Sequence, residues 1–116
     1  MSLQKMALLL QKLEKLTLSG NLDWEPTEKD NVFQTSFPNF SVRIYPEEED
    51  YVISIFNSEG LLLESVTDPE LSDILKDSFS RMKALYESSR GYALGTEKVL
   101  DDILNELDKK DLDIPF

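Results

Sequence analysis

The densest group of side chains that could do chemistry is the carboxylate run Glu47-Glu48-Glu49-Asp50. Oxygen ligands of this kind are the ones that Ca²⁺ and Mg²⁺ prefer. The run lacks the DxDxDG spacing of a calcium-binding loop, and it lacks the glycine that bends such a loop. We therefore interpret it as a solvated hairpin loop whose charges discourage sheet-edge association, and we predict no metal-binding residues.

Two other acidic pairs are candidates for two-carboxylate hydrolysis. Asp101 and Asp102 are adjacent on a predicted helix and cannot point the same way. Asp23 and Glu25 flank Trp24 and could share one strand face, but a hydrolase needs its two carboxylates about 5 to 10 Å apart across a cleft. The sequence indicates no such cleft, so we interpret both pairs as solvated surface.

The residue types that are missing exclude several reaction classes. The chain contains neither His nor Cys, which removes Ser-His-Asp hydrolysis, His-ligated zinc, thiolate nucleophiles and disulfides. It also has no GxSxG elbow and no glycine-rich phosphate loop. We predict that the protein is not an enzyme and has no catalytic residue and no cofactor. A carboxylate- and divalent-cation-dependent enzyme is the alternative that this composition leaves open.

The charge balance is strongly acidic, with a net charge of −11 from 23 acidic and 12 basic residues. Nucleic acid and anionic membranes are disfavoured partners, because both need clustered Lys and Arg. A basic protein partner is compatible with this charge. An acidic inhibitor that mimics nucleic acid is a second alternative, although Lys and Arg are interspersed among the carboxylates. The apolar run Met6–Leu10 is too short to cross a membrane, and the expected location is the cytoplasm.

Apolar residues at helical spacing predict three helices. The second begins at the cap and proline of Thr67-Asp68-Pro69-Glu70, and Gly95-Thr96 ends it and starts the third. The predicted helices run from Leu3 to Leu16, from Thr67 to between Arg90 and Ala93, and from Thr96 to a tail at Asp111–Phe116.

Residues of strand-forming types, with turn signals between them, predict three or four antiparallel strands. The predicted strands are Val32–Phe37, Phe40–Tyr45, Tyr51–Asn57 and Leu61–Val66. The loop at Glu47–Asp50 predicts the pairs Pro46–Tyr51, Ile44–Ile53 and Val42–Ile55. The three-residue turn ending at Gly60 predicts the pairs Asn57–Leu61, Phe56–Leu62 and Ile55–Leu63.

These registers divide the sheet into two faces. The predicted core face carries Phe40, Val42, Ile44, Ile53, Ile55, Leu61 and Leu63. The second face carries Tyr45, Val52, Phe56, Leu62 and Val66, with Arg43, Ser54 and Glu64 across its middle. The predicted fold is a single α+β domain over residues 1–116: an N-terminal helix, an antiparallel meander of three or four strands, and two C-terminal helices packed on one sheet face.

The second face is about half apolar, which is typical of an interface rather than of a solvated sheet surface. We therefore predict a candidate partner surface made of Arg43, Tyr45, Val52, Phe56, Leu62 and the sole tryptophan, Trp24. The competing interpretations are that the first helix or the tail covers this face, and that Trp24 is a core anchor. The favoured function is a non-enzymatic protein–protein interaction module, adaptor-, chaperone- or antitoxin-like, that binds a protein partner or forms a homodimer.

Overall fold

A computed structural model describes residues 2–111, so the predicted tail from residue 112 onward lies outside the described residues. The α+β fold with an N-terminal helix, an antiparallel sheet and C-terminal helices is confirmed. The helices are α1 (Leu3–Leu18), α2 (Asp68–Leu71), α3 (Ser78–Leu94) and α4 (Thr96–Asp111). The strands are β1 (Trp24–Pro26), β2 (Phe33–Ser36), β3 (Phe40–Glu47), β4 (Asp50–Asn57) and β5 (Leu62–Thr67).

The sheet is an antiparallel meander of five strands in the order β1-β2-β3-β4-β5. The strand that the sequence did not predict is β1, which pairs Trp24 with Thr35 and Pro26 with Phe33. It is three residues long and ends in a proline, which lacks the N–H that a central strand needs and is tolerated at a sheet edge.

The predicted pairing of β3 with β4 is confirmed at Val42–Ile55, Ile44–Ile53 and Pro46–Tyr51. The ladder continues one step further, to Glu47 and Asp50, so the acidic run closes a tighter turn than expected. Glu48 occupies the left-handed region within that turn, with φ 56°.

The predicted pairing of β4 with β5 is confirmed at Phe56–Leu62 and is wrong beyond it. A bulge follows, and Ile55 pairs with Glu64 rather than with Leu63. Because one extra residue reverses which side chains reach which face, Val66 enters the core and is fully buried, at 0% exposure. Leu61 and Leu63, predicted to face the core, are exposed, and so is Phe40, which lies at the end of β3 beyond the helices' buried contacts.

One buried cluster joins the helices to the sheet. Residues of α1, α2 and α3 pack in it with side chains from all five strands, and α3 contacts the first four strands. The core members are Met6, Ala7, Leu10, Leu13, Trp24, Phe33, Val42, Ile44, Ile53, Val66, Leu71, Met82, Leu85 and Tyr86. An ion pair between Glu14 and Arg81, with 2.8 Å between Oε1 and Nη2, also ties α1 to α3.

The helix start predicted at Thr67 is confirmed as a capping box, in which Thr67 and Glu70 each bond the other's backbone N–H. The helix ends after one turn at Leu71, however, and α3 starts separately at Ser78. The Ser78 hydroxyl donates to the backbone oxygen of Asp68 at 2.8 Å, which holds the break in place.

The last helix, α4, projects from the rest of the molecule. Gly95, with φ 63°, ends α3 in the left-handed conformation that glycine adopts at low cost, and α4 starts at the next residue. The principal contact of α4 is with α3, and none of its residues is buried. The molecule is consequently elongated, with dimensions of 63 × 33 × 27 Å.

Candidate interaction surfaces

The sheet face opposite the core is free of helices in the described part of the chain. The buried residues of α1, α2 and α3 join the cluster on the core face. Four of the predicted surface residues lie on the opposite face and keep part of their surface in water. These are Arg43, Tyr45, Phe56 and Leu62. We call this the open sheet face.

Two of the predicted surface residues are not available to a partner. Val52 lies on the open sheet face but is only 5% exposed, because Tyr45 and Thr67 flank it on the neighbouring strands. Trp24 is also 5% exposed and lies in the core cluster, where its indole N–H donates to Thr17 Oγ1 at 3.0 Å. The structure therefore places Trp24 as a core anchor, away from the open sheet face.

Arg43 is held in the middle of the open sheet face by three neighbours. Its Nε donates to Gln34 Oε1 at 2.8 Å, and its Nη1 donates to Glu28 Oε1 at 3.2 Å. The guanidinium carbon lies 5.2 Å from the centre of the Phe56 ring, which is cation–π distance. A hydrogen bond from the backbone, together with Arg43, holds the pKa of Glu28 below its ordinary value. The Glu28 carboxylate that faces Arg43 is therefore charged at neutral pH.

A second polar contact orders the other half of the face. The Tyr45 hydroxyl and Ser54 Oγ lie 2.9 Å apart. Ser54 is 1% exposed, so this bond satisfies a hydroxyl that its neighbours shield from water. Tyr45 is thereby fixed with its ring half-buried along the face.

One end of the sheet is apolar where it adjoins the open sheet face, and the sequence did not predict it. The turn between β2 and β3 and the turn between β4 and β5 meet at this end, because the strands alternate in direction. Exposed side chains cluster there, and we call them the apolar end: Phe37, Phe40, Leu61, Leu62 and Leu63. Beside it a concavity of about 450 Å³ is lined by Phe37, Phe40 and Phe56 together with Arg43 and Glu28.

A second uncovered surface lies on α4. Apolar side chains at positions i and i+4 form a continuous stripe, and each is between 48% and 56% exposed. We call this the α4 stripe: Val99, Leu100, Ile103, Leu104 and Leu107. The sequence predicted the stripe itself. Its exposure was missed, because periodicity does not say what a helix face packs against.

Two other properties bear on function. Among residues 2–111, no group of three or more acidic side chains is placed to hold a metal ion. None of the helices in that range is both long enough and apolar enough to span a bilayer.

Comparison with known proteins gives no match to any protein-family model, curated protein or solved structure. Function is therefore inferred from the open sheet face and the α4 stripe themselves.

Proposed function

We propose that this chain is a non-enzymatic protein–protein interaction module, adaptor-, chaperone- or antitoxin-like, that binds a protein partner through the open sheet face. The observation that carries the proposal is the apolar end, where Phe40 and Leu62 are each 52% exposed beside the Arg43 network. Contiguous exposed apolar side chains rimmed by charge are typical of protein interfaces.

The Arg43 network makes this face a good anchor for a partner. Interface residues that contribute most to binding are enriched in Arg and aromatic types. Glu28, Gln34 and Phe56 already hold the Arg43 side chain in one position, so a partner would not have to immobilise it. The concavity of about 450 Å³ beside it has room for a few side chains of the partner.

The charge of the molecule favours one kind of partner. A net charge of −11 attracts a basic protein and repels nucleic acid and anionic lipid. We propose a basic protein partner in the cytoplasm, the location that a cysteine-free composition supports.

Site-specific photocrosslinking in the source cells tests this proposal. A benzophenone amino acid at Leu62 should give a discrete crosslinked protein, whereas the same probe at Glu87, an exposed residue of α3, should not. Phe40→Ser should reduce the Leu62 crosslink by about fivefold or more, because truncating an interface anchor costs more than about 1 kcal/mol.

The Phe40→Ser variant and the variant with the benzophenone amino acid at Leu62 should both fold normally, since Phe40 and Leu62 are half-exposed. Far-UV circular dichroism checks this. A crosslink that is equally strong at Glu87, or one that survives Phe40→Ser undiminished, would show that the open sheet face is not the binding surface.

A further inference from the structure

The α4 stripe has no counterpart within the described part of its own molecule. The five side chains of the stripe are about half-exposed, and none of the residues of α4 is buried. An amphipathic helix in water is normally stabilised by packing of its apolar face, because a helix of this length is marginal by itself. The stripe therefore indicates a docking surface, and the question is which surface it contacts.

The outer face of α1 has the complementary chemistry. Leu8 is 50% exposed there and Leu16 39%. Three exposed lysines surround them: Lys5, Lys12 and Lys15. The ion pairs seen among residues 2–111 involve none of the three. Lys12 lies one helical turn from each leucine and between them, so in a chain of net charge −11 this is a basic helix face that carries two exposed leucines.

The charges of α4 are of the opposite sign. α1 carries three lysines and one glutamate, whereas α4 carries six carboxylates and three lysines. On a helical wheel, Asp102 and Glu106 border one side of the α4 stripe, and Glu97, Asp101 and Asp108 border the other. Leu8 and Leu16 would contact leucines of the α4 stripe, and the α1 lysines beside and between them would reach the carboxylates that border that stripe.

We propose that α4 of one molecule packs on the outer face of α1 of a second copy, and that the two copies exchange α4 helices reciprocally in a symmetric dimer. A second copy is the occupant because the principal contact of α4 within its own molecule is with α3 and not with α1. The two helices match in length whether they pack antiparallel or parallel, since α1 and α4 each have 16 residues.

The area of the contact favours reciprocal exchange. A 16-residue helix is about 24 Å long and about 10 Å wide, so one contact covers roughly 500 Å² summed over both helices. Two reciprocal contacts cover roughly 1,000 Å², which is the lower limit for a specific interface. A symmetric arrangement also closes, so it gives a dimer and not a filament. We expect a weak dimer with a dissociation constant in the micromolar range.

Charge reversal in two separate chains provides the test. The first variant carries Lys12→Glu and Lys15→Glu on α1, and the second carries Asp102→Lys and Glu106→Lys on α4. Sedimentation velocity is run from about 5 to about 500 μM, a range that brackets a weak dimer. The wild-type chain should dimerise within this range. Each variant by itself should be at least tenfold weaker, because both reciprocal contacts are then like-charged.

Mixing the two variants should restore the dimer. In the mixed dimer one contact has the reversed charges on both helices and the other has the natural charges on both, so both are attractive. A matched control carries Lys29→Glu and Lys76→Glu, which change the net charge as the α1 variant does but lie outside α1 and α4 and are exposed. This control should dimerise like the wild type.

Several outcomes would overturn the proposal. A wild-type chain that is monomeric at every concentration would show that a second copy does not bind the α4 stripe. A dimer that is unaffected by the α1 reversal but lost with Leu100→Ser and Leu104→Ser would show that α4 pairs with α4. A mixture that fails to recover dimerisation would exclude the α1–α4 contact. Phe40→Ser should leave self-association unchanged, so a failure of the proposed dimer would not affect the proposed binding of a partner at the open sheet face.

Discussion

Removing the hydroxyl of Thr17 should destabilise the protein by leaving a buried tryptophan donor without an acceptor. The Trp24 indole N–H donates to Thr17 Oγ1 at 3.0 Å, and the two residues are 5% and 1% exposed. Thr17→Val keeps the shape of the side chain and removes only the acceptor. A buried donor left unpaired costs about 1 to 3 kcal/mol, so we expect a loss of about 2 kcal/mol in the free energy of unfolding.

This loss corresponds to a clear thermal shift. For a chain of 116 residues, an unfolding entropy of about 2.1 cal/mol/K per residue gives about 0.24 kcal/mol/K, so about 2 kcal/mol lowers Tm by about 8 °C. Urea unfolding is followed by far-UV circular dichroism, which also serves variants that lack Trp24, the only tryptophan. Thr17→Ser is the matched control, since it keeps the hydroxyl and loses one methyl group, worth about 0.8 kcal/mol.

A double-mutant cycle decides whether the hydrogen bond is the cause. Trp24→Phe removes the donor, so adding Thr17→Val in that background should cost little further stability. We expect a coupling free energy of at least about 1 kcal/mol between the two positions. The reasoning is refuted if Thr17→Val costs the same in both backgrounds, with a coupling below about 0.5 kcal/mol. That result would assign the whole effect to packing.

Three further changes test the core and its charge contacts. Burial raises the pKa of Tyr86. The neutral Tyr86 phenol therefore contributes fully to the free energy of unfolding below the unfolded pKa of about 10, and this stability is lost as pH rises through the folded pKa. Tyr86→Phe should consequently move alkaline unfolding, followed by circular dichroism, to higher pH. Arg81→Gln breaks the two-point contact with Glu14 between α1 and α3 and should cost about 1 kcal/mol in urea unfolding; an effect that is equally large in high salt would contradict an electrostatic origin. Leu10→Ala, at a fully buried site with 0% exposure, should cost about 2 to 5 kcal/mol by calorimetry. Leu18→Ala, at a site 77% exposed, should stay within about 0.5 kcal/mol of the wild type, and similar losses at both sites would place the core elsewhere.

The centre of the sheet could be predicted from sequence because two signals agreed there. In β3 and β4 apolar and polar residues alternate, and the acidic turn between them fixes the distance along the chain. Only one register then puts Ile44 beside Ile53 and Val42 beside Ile55, since a shift of one residue would mix the two faces.

The register of β5 could not be predicted because its first residues carry no alternation. Leu61-Leu62-Leu63 reads the same on both faces, so only the turn at Gly60 set the predicted pairing. The bulge after Leu62 lets Val66 pack beside Ile53 in the core. Burial of Val66 favours the extra residue that the bulge inserts into β5. As a consequence, the three leucines that precede it stay exposed at the apolar end.

The sharing of one sheet face by the candidate residues could be predicted where it depended on β3 and β4, and less well elsewhere. Arg43, Tyr45 and Phe56 share the open sheet face with Leu62. The position of Trp24 depends on pairing with Thr35 in a short strand that the sequence did not reveal. The sequence therefore did not determine which sheet face Trp24 joins, because that depends on β1. Burial of Val52 follows from its central position between Tyr45 and Thr67 on the neighbouring strands, which alternation does not report.

The acidity of the chain and its proposed self-association are compatible because the two act over different distances. Two copies of a molecule with net charge −11 repel each other as a whole, but at physiological ionic strength charges further apart than about 8 Å are largely screened. Lysines of α1 and carboxylates of α4 would lie within contact distance in the proposed dimer and would be screened much less.

Self-association should therefore be strongest at intermediate salt. At very low salt the whole-molecule repulsion is unscreened and weakens the dimer, and at high salt the contacts between the helices are screened. A partner that binds the open sheet face by its basic charge would instead be bound most tightly at the lowest salt, because both the long-range and the local terms attract it. The salt dependence of the two complexes thus separates binding by the α4 stripe from binding by the open sheet face.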